Sequence, residues 1–173
     1  MADEIKLQYG LCDITVGGTK EFAILGDVAE FTAEPQFEDI DLYEIPAYDK
    51  LLTGWDVRLK VVLEDYQYKN LELAMPMMKK ITVGIEDIGF TDGGLYQKAR
   101  DKAVEIVIHP RDLLASDKQF DLTVFKAFPT TSFQKQYGKE LSKWEVEFVG
   151  LSKTADPKQA GNYFLIGEPE PIV

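Results

Sequence analysis

The stretch TGWDVRLKVVLEDYQYKNLELAMPMM, Thr53 to Met78, constrains the fold most, because its apolar period changes from two to between three and four within a few residues. From Trp55 to Leu63 the residues Trp55, Val57, Leu59, Val61 and Leu63 alternate with Asp56, Arg58, Lys60, Val62 and Glu64, the two-residue period of a half-buried strand. Past Glu64 and Asp65, the residues Tyr68, Leu71, Met75 and Met78 follow at helical spacing. That spacing predicts one short helix that buries this stripe against the sheet and stops at Pro76, whose ring and missing N–H cannot continue it. A partner-binding role for the methionines is the weaker reading of the same stripe.

The rest of the chain reads as strands and turns. Ile14–Val16 and Phe22–Leu25, joined through Gly17-Gly18, form a hairpin pattern, since glycines supply the positive φ angles of a tight turn. From Ala29 to Phe37, Ala29, Phe31, Ala33 and Phe37 alternate with Glu30, Thr32, Glu34, Gln36 and Glu38, which predicts a strand with one strongly acidic face. Pro35 cannot donate to a ladder, so the strand is at an edge there or is broken by a bulge. Glu38 to Gly54 is expected to be a long loop, about residues 38–54. Leu42, Tyr43, Ile45, Pro46, Tyr48, Leu51 and Leu52 make it apolar for a solvated connection. Such a segment either folds back on itself or is buried against a neighbour.

Further on, Ile81–Ile85 and Ala103–Ile108 are strand candidates, and Glu86–Lys102 is a polar stretch punctuated by glycines. Phe120–Phe128 and Trp144–Leu151 are late strands joined by an extended hairpin arm, and the tail ends in the proline-rich GEPEPIV. At 173 residues and 45% hydrophobic content the chain can bury roughly 70% of its unfolded surface, which fits one domain over 1–173 with a C-terminal extension from about 161. The fold class expected is mainly β: an antiparallel β-sandwich or barrel with one packed α-helix.

Charge and side-chain inventory narrow the function. Residues 1–50 hold 12 acidic side chains against Lys6, Lys20 and Lys50, a net of −9, whereas the other 123 residues carry 18 against 16, a net of −2. Proteins that grip nucleic acid do so by neutralising phosphates with Lys and Arg, so this balance argues against gripping; a solvated acidic face is the simpler account. No apolar run approaches the ~18 residues of a membrane span, and MADEIKLQ lacks a basic start and apolar middle, so synthesis in the cytoplasm is expected. Cys12 is the single cysteine and suits a small buried apolar role. His109 is the single histidine, which excludes any two-histidine metal site and leaves little for a triad. The carboxylate pairs Glu64-Asp65, Asp39-Asp41 and Glu86-Asp87 are weak acid and base candidates in so acidic a chain. No enzyme, metal or cofactor is expected.

A front hairpin, an acidic strand, the apolar segment closed by LTGWDVRLKVVLED, the helix YKNLELAM, a strand ending in IHP, and late strands around FDLTVFKAF and SKWEVEFVGL together resemble the major tail tube proteins of tailed bacteriophages. The resemblance spans about Phe22 to Gly167 and rests on the order of patterns. It implies a virion protein of the tail, assembled in the host cytoplasm, whose six-copy rings stack into a hollow tube. Implied partners are further copies of the chain and other tail proteins such as tape measure, initiator and terminator. DNA passes through the lumen without specific binding, and no membrane partner is implied. Glu30, Glu34 and Glu38 would then line the bore, and Leu42, Tyr43, Ile45, Tyr48, Leu51 and Leu52 would carry assembly contacts, with Phe133–Tyr137 and the C-terminus as secondary candidates. Alternatives are an inner-tube subunit of a phage-tail-like injection device, a β-sandwich module binding carbohydrate or protein through Tyr43, Tyr48 and Trp55, and, least favoured, a carboxylate hydrolase.

Overall fold

The computed structural model describes residues 10–18, 20–21, 29–63, 67–135, 137 and 143–168. The chain is mainly β and antiparallel. Its strands are β1 (Cys12–Val16), β2 (Lys20–Glu21), β3 (Ala29–Leu42), β4 (Ile45–Leu63), β5 (Lys79–Val83), β6 (Glu86–Thr91), β7 (Val104–Pro110), β8 (Leu122–Pro129), β9 (Trp144–Gly150) and β10 (Phe164–Ile166). Eight of these make one curled sheet in the order β2-β1-β7-β8-β9-β4-β3, with β10 also on β8, while β5 and β6 form a separate ribbon.

The alternation in β4 is the axis of the core. Val57, Leu59, Val61 and Leu63 are each at most 1% exposed, and they meet Val146 and Phe148 of β9, Val124 and Ala127 of β8, Ile106 of β7 and Ile14 and Val16 of β1. Burying each such side chain contributes about 1.5–3 kcal/mol, and it is the period of two that sends all of them to one face. Gly150 is required at the end of β9, because a Cβ there would lie 2.8 Å from the Cβ of Val57. Gly17 and Gly18, at φ of 62° and 79°, turn β1 into β2 with the register Val16↔Lys20, so the front hairpin returns earlier than expected; Phe22–Leu25 lies outside the described residues.

The helix, α1 (Tyr68–Ala74), ends before Pro76 as expected, but its buried side is Asn70, Leu73 and Ala74. Leu71 and Met75 only half-bury against the core, and Tyr68 turns outward to donate its hydroxyl to the Ile88 carbonyl at 3.0 Å. Met78 lies beyond the helix. Tyr68 also stacks edge-on with Phe90, and Lys80 bridges Glu72 and Asp87, so α1 and the β5–β6 ribbon pack as a unit. The polar stretch after Ile85 holds β6, which pairs with β5 across a Gly84-Ile85 turn, and a second short helix, α2 (Ala99–Lys102). Cys12, on β1, is half-buried against the core, and that burial raises its thiol pKa.

The expected loop at 38–54 is instead paired strand. β3 and β4 continue past the body of the sheet as a ribbon whose turn is Tyr43-Glu44. Two irregularities hid it. Between Gln36 and Phe37 the register slips past Thr53, and between Ile40 and Leu42 it slips past Pro46–Tyr48, where Ala47 takes φ 51°. Each bulge breaks the strict alternation by which a strand is read.

Candidate functional site

β9 accompanies β4 only as far as Arg58, paired with Val149, so beyond Trp55 the two strands of the ribbon have no partner but each other among the described residues. From Phe37 to the turn, six steps at about 3.3 Å carry the tip roughly 20 Å outward. A two-stranded ribbon is marginal alone, and this arm is held by specific bonds. Thr53 donates its hydroxyl to the Gln36 carbonyl at 3.1 Å, Lys50 Nζ meets Asp39 at 2.6 Å, and the Ala47 amide donates to Asp41 Oδ1 at 2.6 Å.

The arm is apolar in spite of its exposure. Phe37, Ile40, Leu42, Tyr43, Ile45, Tyr48, Leu51 and Leu52 are all exposed, Tyr43 completely, so all six assembly candidates lie together on this element. Register puts Phe37 and Leu52 on the side continuous with the core, and Glu38, Ile40, Leu42, Ile45 and Leu51 on the other. Six carboxylates between Glu34 and Asp49 face a single cation, Lys50. Edge strands are kept from indiscriminate pairing by such charges, prolines and bulges, and Pro35, on the edge strand β3, and Pro46 fit that use.

Glu30, Glu34 and Glu38 share the outer side of β3, as the alternation predicts, and all three are exposed. Across the ladder Glu30 faces Lys60, Thr32 faces Arg58 and Glu34 faces Asp56. Arg58 is in turn held by Asp56 at 3.0 Å and Glu147 at 3.1 Å, and Lys60 by Glu145 at 2.9 Å. The acidic face is therefore a mixed surface in which six carboxylates outnumber two cations. Exposed pairs of this type add about 0–1 kcal/mol each, so what the surface carries is its excess negative charge.

At the root of the arm a cleft of about 420 Å³ opens between Leu52–Trp55 and the segment Pro157–Phe164. Its floor is an aromatic cluster: the Phe164 ring stands edge-on to Trp55 at 5.4 Å and to Phe31 at 5.6 Å. Its outer wall is a chain excursion between β9 and β10, which lie in line along β8. Asn162, 6% exposed, organises that excursion. Its side-chain oxygen accepts from the Thr154 amide at 2.7 Å, and its amide nitrogen donates to the Asp156 carbonyl at 3.0 Å. Arg100 clamps the Ser152 and Lys153 carbonyls from α2.

The other sequence candidates separate. Tyr43 sits at the tip, Tyr48 midway and Trp55 half-buried at the root, so the three aromatics do not converge on one concave site. Asp39 and Asp41 are taken up by arm contacts, Asp87 by Lys80, and Glu64-Asp65 lies outside the described residues. Phe133 stands edge-on to Trp144 at 5.6 Å and is itself exposed, as is Tyr137; residues 136, 138–142 and 169–173 lie outside the described residues. Among the described residues no helix is long and apolar enough to cross a membrane.

His109 has a partner that no spacing announced: its Nδ1 lies 2.5 Å from Oδ1 of the buried Asp121, whose carbonyl also accepts from the Gly167 amide. The Asp121 hydrogen bond raises the imidazole pKa above its ordinary 6.5, with burial opposing. A raised folded value means that the contribution to stability is complete below about 6.5 and is lost as pH rises through the folded value. Thermal melts should therefore show Tm falling by a few degrees, about 1 kcal/mol, as pH climbs from 6 through and above neutrality. Asp121→Asn should flatten that slope, and an unchanged slope would remove the pair as its cause.

Fold and surface define a mainly-β, antiparallel protein that carries an exposed apolar arm. No family model matches the chain, and no curated protein matches its sequence.

Proposed function

We propose that this chain is a structural subunit of a phage-type tail tube, forming six-fold rings that stack into a hollow conduit for DNA. The observation that carries the reading is the arm: a braced ribbon of about 16 residues whose apolar side chains have no place to go on their own subunit. A patch of this kind marks a protein–protein contact. Its heterologous use, arm of one copy on the body of another, gives rings or filaments according to whether the rotation closes.

Magnitudes set how such a subunit behaves. Phe37, Ile40, Leu42, Ile45, Leu51 and Leu52 are 40–55% exposed. Completing their burial is worth roughly 4–9 kcal/mol at about 1.5–3 kcal/mol per full side chain. Association costs about 4–15 kcal/mol, so one arm contact is weak and many must form together. Assembly is then steeply concentration-dependent and starts best from a preformed ring, which suits a subunit that waits for an initiator.

Glu30, Glu34 and Glu38 face the bore in this reading. A negative wall repels phosphate, whereas 6–10 cationic contacts would make a salt-sensitive grip and stall the passage of DNA. The same body would serve an injection device. A ligand-binding module receives less support, since Tyr43, Tyr48 and Trp55 do not share a site.

Sedimentation across a concentration series, with electron microscopy of the product or of subunits seeded with initiator, tests the proposal. Hollow six-fold tubes with the three glutamates inward are expected. Persistent monomers with and without initiator overturn the tube reading, and glutamates on the outer wall overturn the lumen assignment.

A further inference from the structure

We infer that the cleft at the root of the arm is the receptor for the arm tip of a second copy of the chain. This inference rests on the self-assembly reading and names the surface that the arm engages.

Reach comes first. The tip at Tyr43-Glu44 stands roughly 20 Å from Leu52 along a braced ribbon, so it cannot fold back into its own cleft. Donor and receptor on one chain that cannot meet within that chain make a heterologous contact, and repetition of that contact is a polymer.

Shape and chemistry then match. The tip is a narrow two-residue turn that presents Tyr43, completely exposed, between Leu42 and Ile45. The cleft is concave, with a Trp55–Phe164 floor and Pro157 and Ala160 on its wall, so an inserted tyrosine ring meets aromatic edges and apolar carbons. Its wall is preformed, because Asn162 and Arg100 hold the excursion from Ser152 to Asn162 without help from a partner. Little ordering remains to oppose binding.

Charge sets orientation. The excursion carries Lys153 and Lys158 against Asp156, and Lys158 lines the cleft. The tip carries Glu44, with Asp41 and Asp49 behind it. An acidic tip entering a cleft with a lysine rim is favoured over the same tip approaching the acidic outer face of β3 and β9.

A charge exchange tests the assignment. Glu44→Lys and Lys158→Glu each place like charges at the contact, and each should raise the concentration at which polymer first sediments by about tenfold. Both residues are exposed, so melting curves should stay at the parent value, and the double variant should return to within about threefold of the parent. As a second readout, in a Cys12→Ala background, a Tyr43→Cys population mixed with an Ala160→Cys population should form interchain disulfides under mild oxidation. Normal assembly by both single charge variants, or tubes that form without the disulfide, overturns the receptor assignment and leaves the tube reading standing. No polymer from the parent, seeded or unseeded, overturns both.

Discussion

Excising residues 37–53 and joining Gln36 to Gly54 through a two-residue Asn-Gly turn should leave a folded monomer with Tm within about 5 °C of the parent, and no polymer at any concentration. The two halves of this expectation have separate causes. None of the buried core residues lies in the excised segment, so the apolar burial that drives folding is untouched. The ribbon hydrogen bonds that go are solvated, worth about 0.5–1.5 kcal/mol each, and the ordering entropy of their residues, about 1–2 kcal/mol each, goes with them. Assembly has no such compensation, because the excision removes most of the exposed apolar side chains clustered on the arm. Far-ultraviolet circular dichroism reads the first half and analytical sedimentation with initiator present reads the second. Normal tubes from the excised chain would eliminate the arm as connector; loss of the fold would mean that the ribbon belongs to the core.

The contrast between β4's two halves explains how far the sequence could be read. From Trp55 to Leu63 one face is buried and one is wet, so selection for the core writes a period of two into the residues. From Ile45 to Leu52 both faces are exposed, bulges shift the register twice, and apolar side chains fall on either side. The period vanishes although the strand remains. β6 was unread for a related reason, since Glu86 to Ile88 is exposed on both faces, and β10 has only three residues. In α1 the expected stripe was rotated because a polar residue, Asn70, takes the most buried position, which hydrophobic spacing cannot signal. The acidic face of β3 and the apolar character of residues 42–52 were legible. The cleft was not, since Leu52–Trp55 and Pro157–Phe164 are about 100 residues apart and meet only through strand order. The same holds for His109 and Asp121, whose contact is set by the return of the chain from β7 to β8.

The opposite dissection is expected from Phe148→Ala. Phe148 is 1% exposed, pairs with Leu59 of β4 on one side and with Pro129 of β8 on the other, and is the largest fully buried side chain in the core. Truncating a buried phenylalanine costs about 3–5 kcal/mol, through lost transfer energy and a cavity that close-packed neighbours only partly fill. A domain of this size is stable by about 5–15 kcal/mol and loses roughly 2–4 °C of Tm per kcal/mol, so Tm should fall by about 6–20 °C. The arm is unaltered, so well below the new melting point the variant should polymerise at the parent's concentration threshold. A shift under about 2 °C would mean that the core is not centred on β9. A large shift accompanied by lost assembly in the cold would mean that the arm depends on the packing beneath it. Set beside the arm excision, the expected pair of results places the energy of folding in the curled sheet and the energy of assembly in the ribbon beyond it. A chain divided in that way would be able to wait as a stable monomer, because the surface proposed to make it polymerise would do no work in holding it folded.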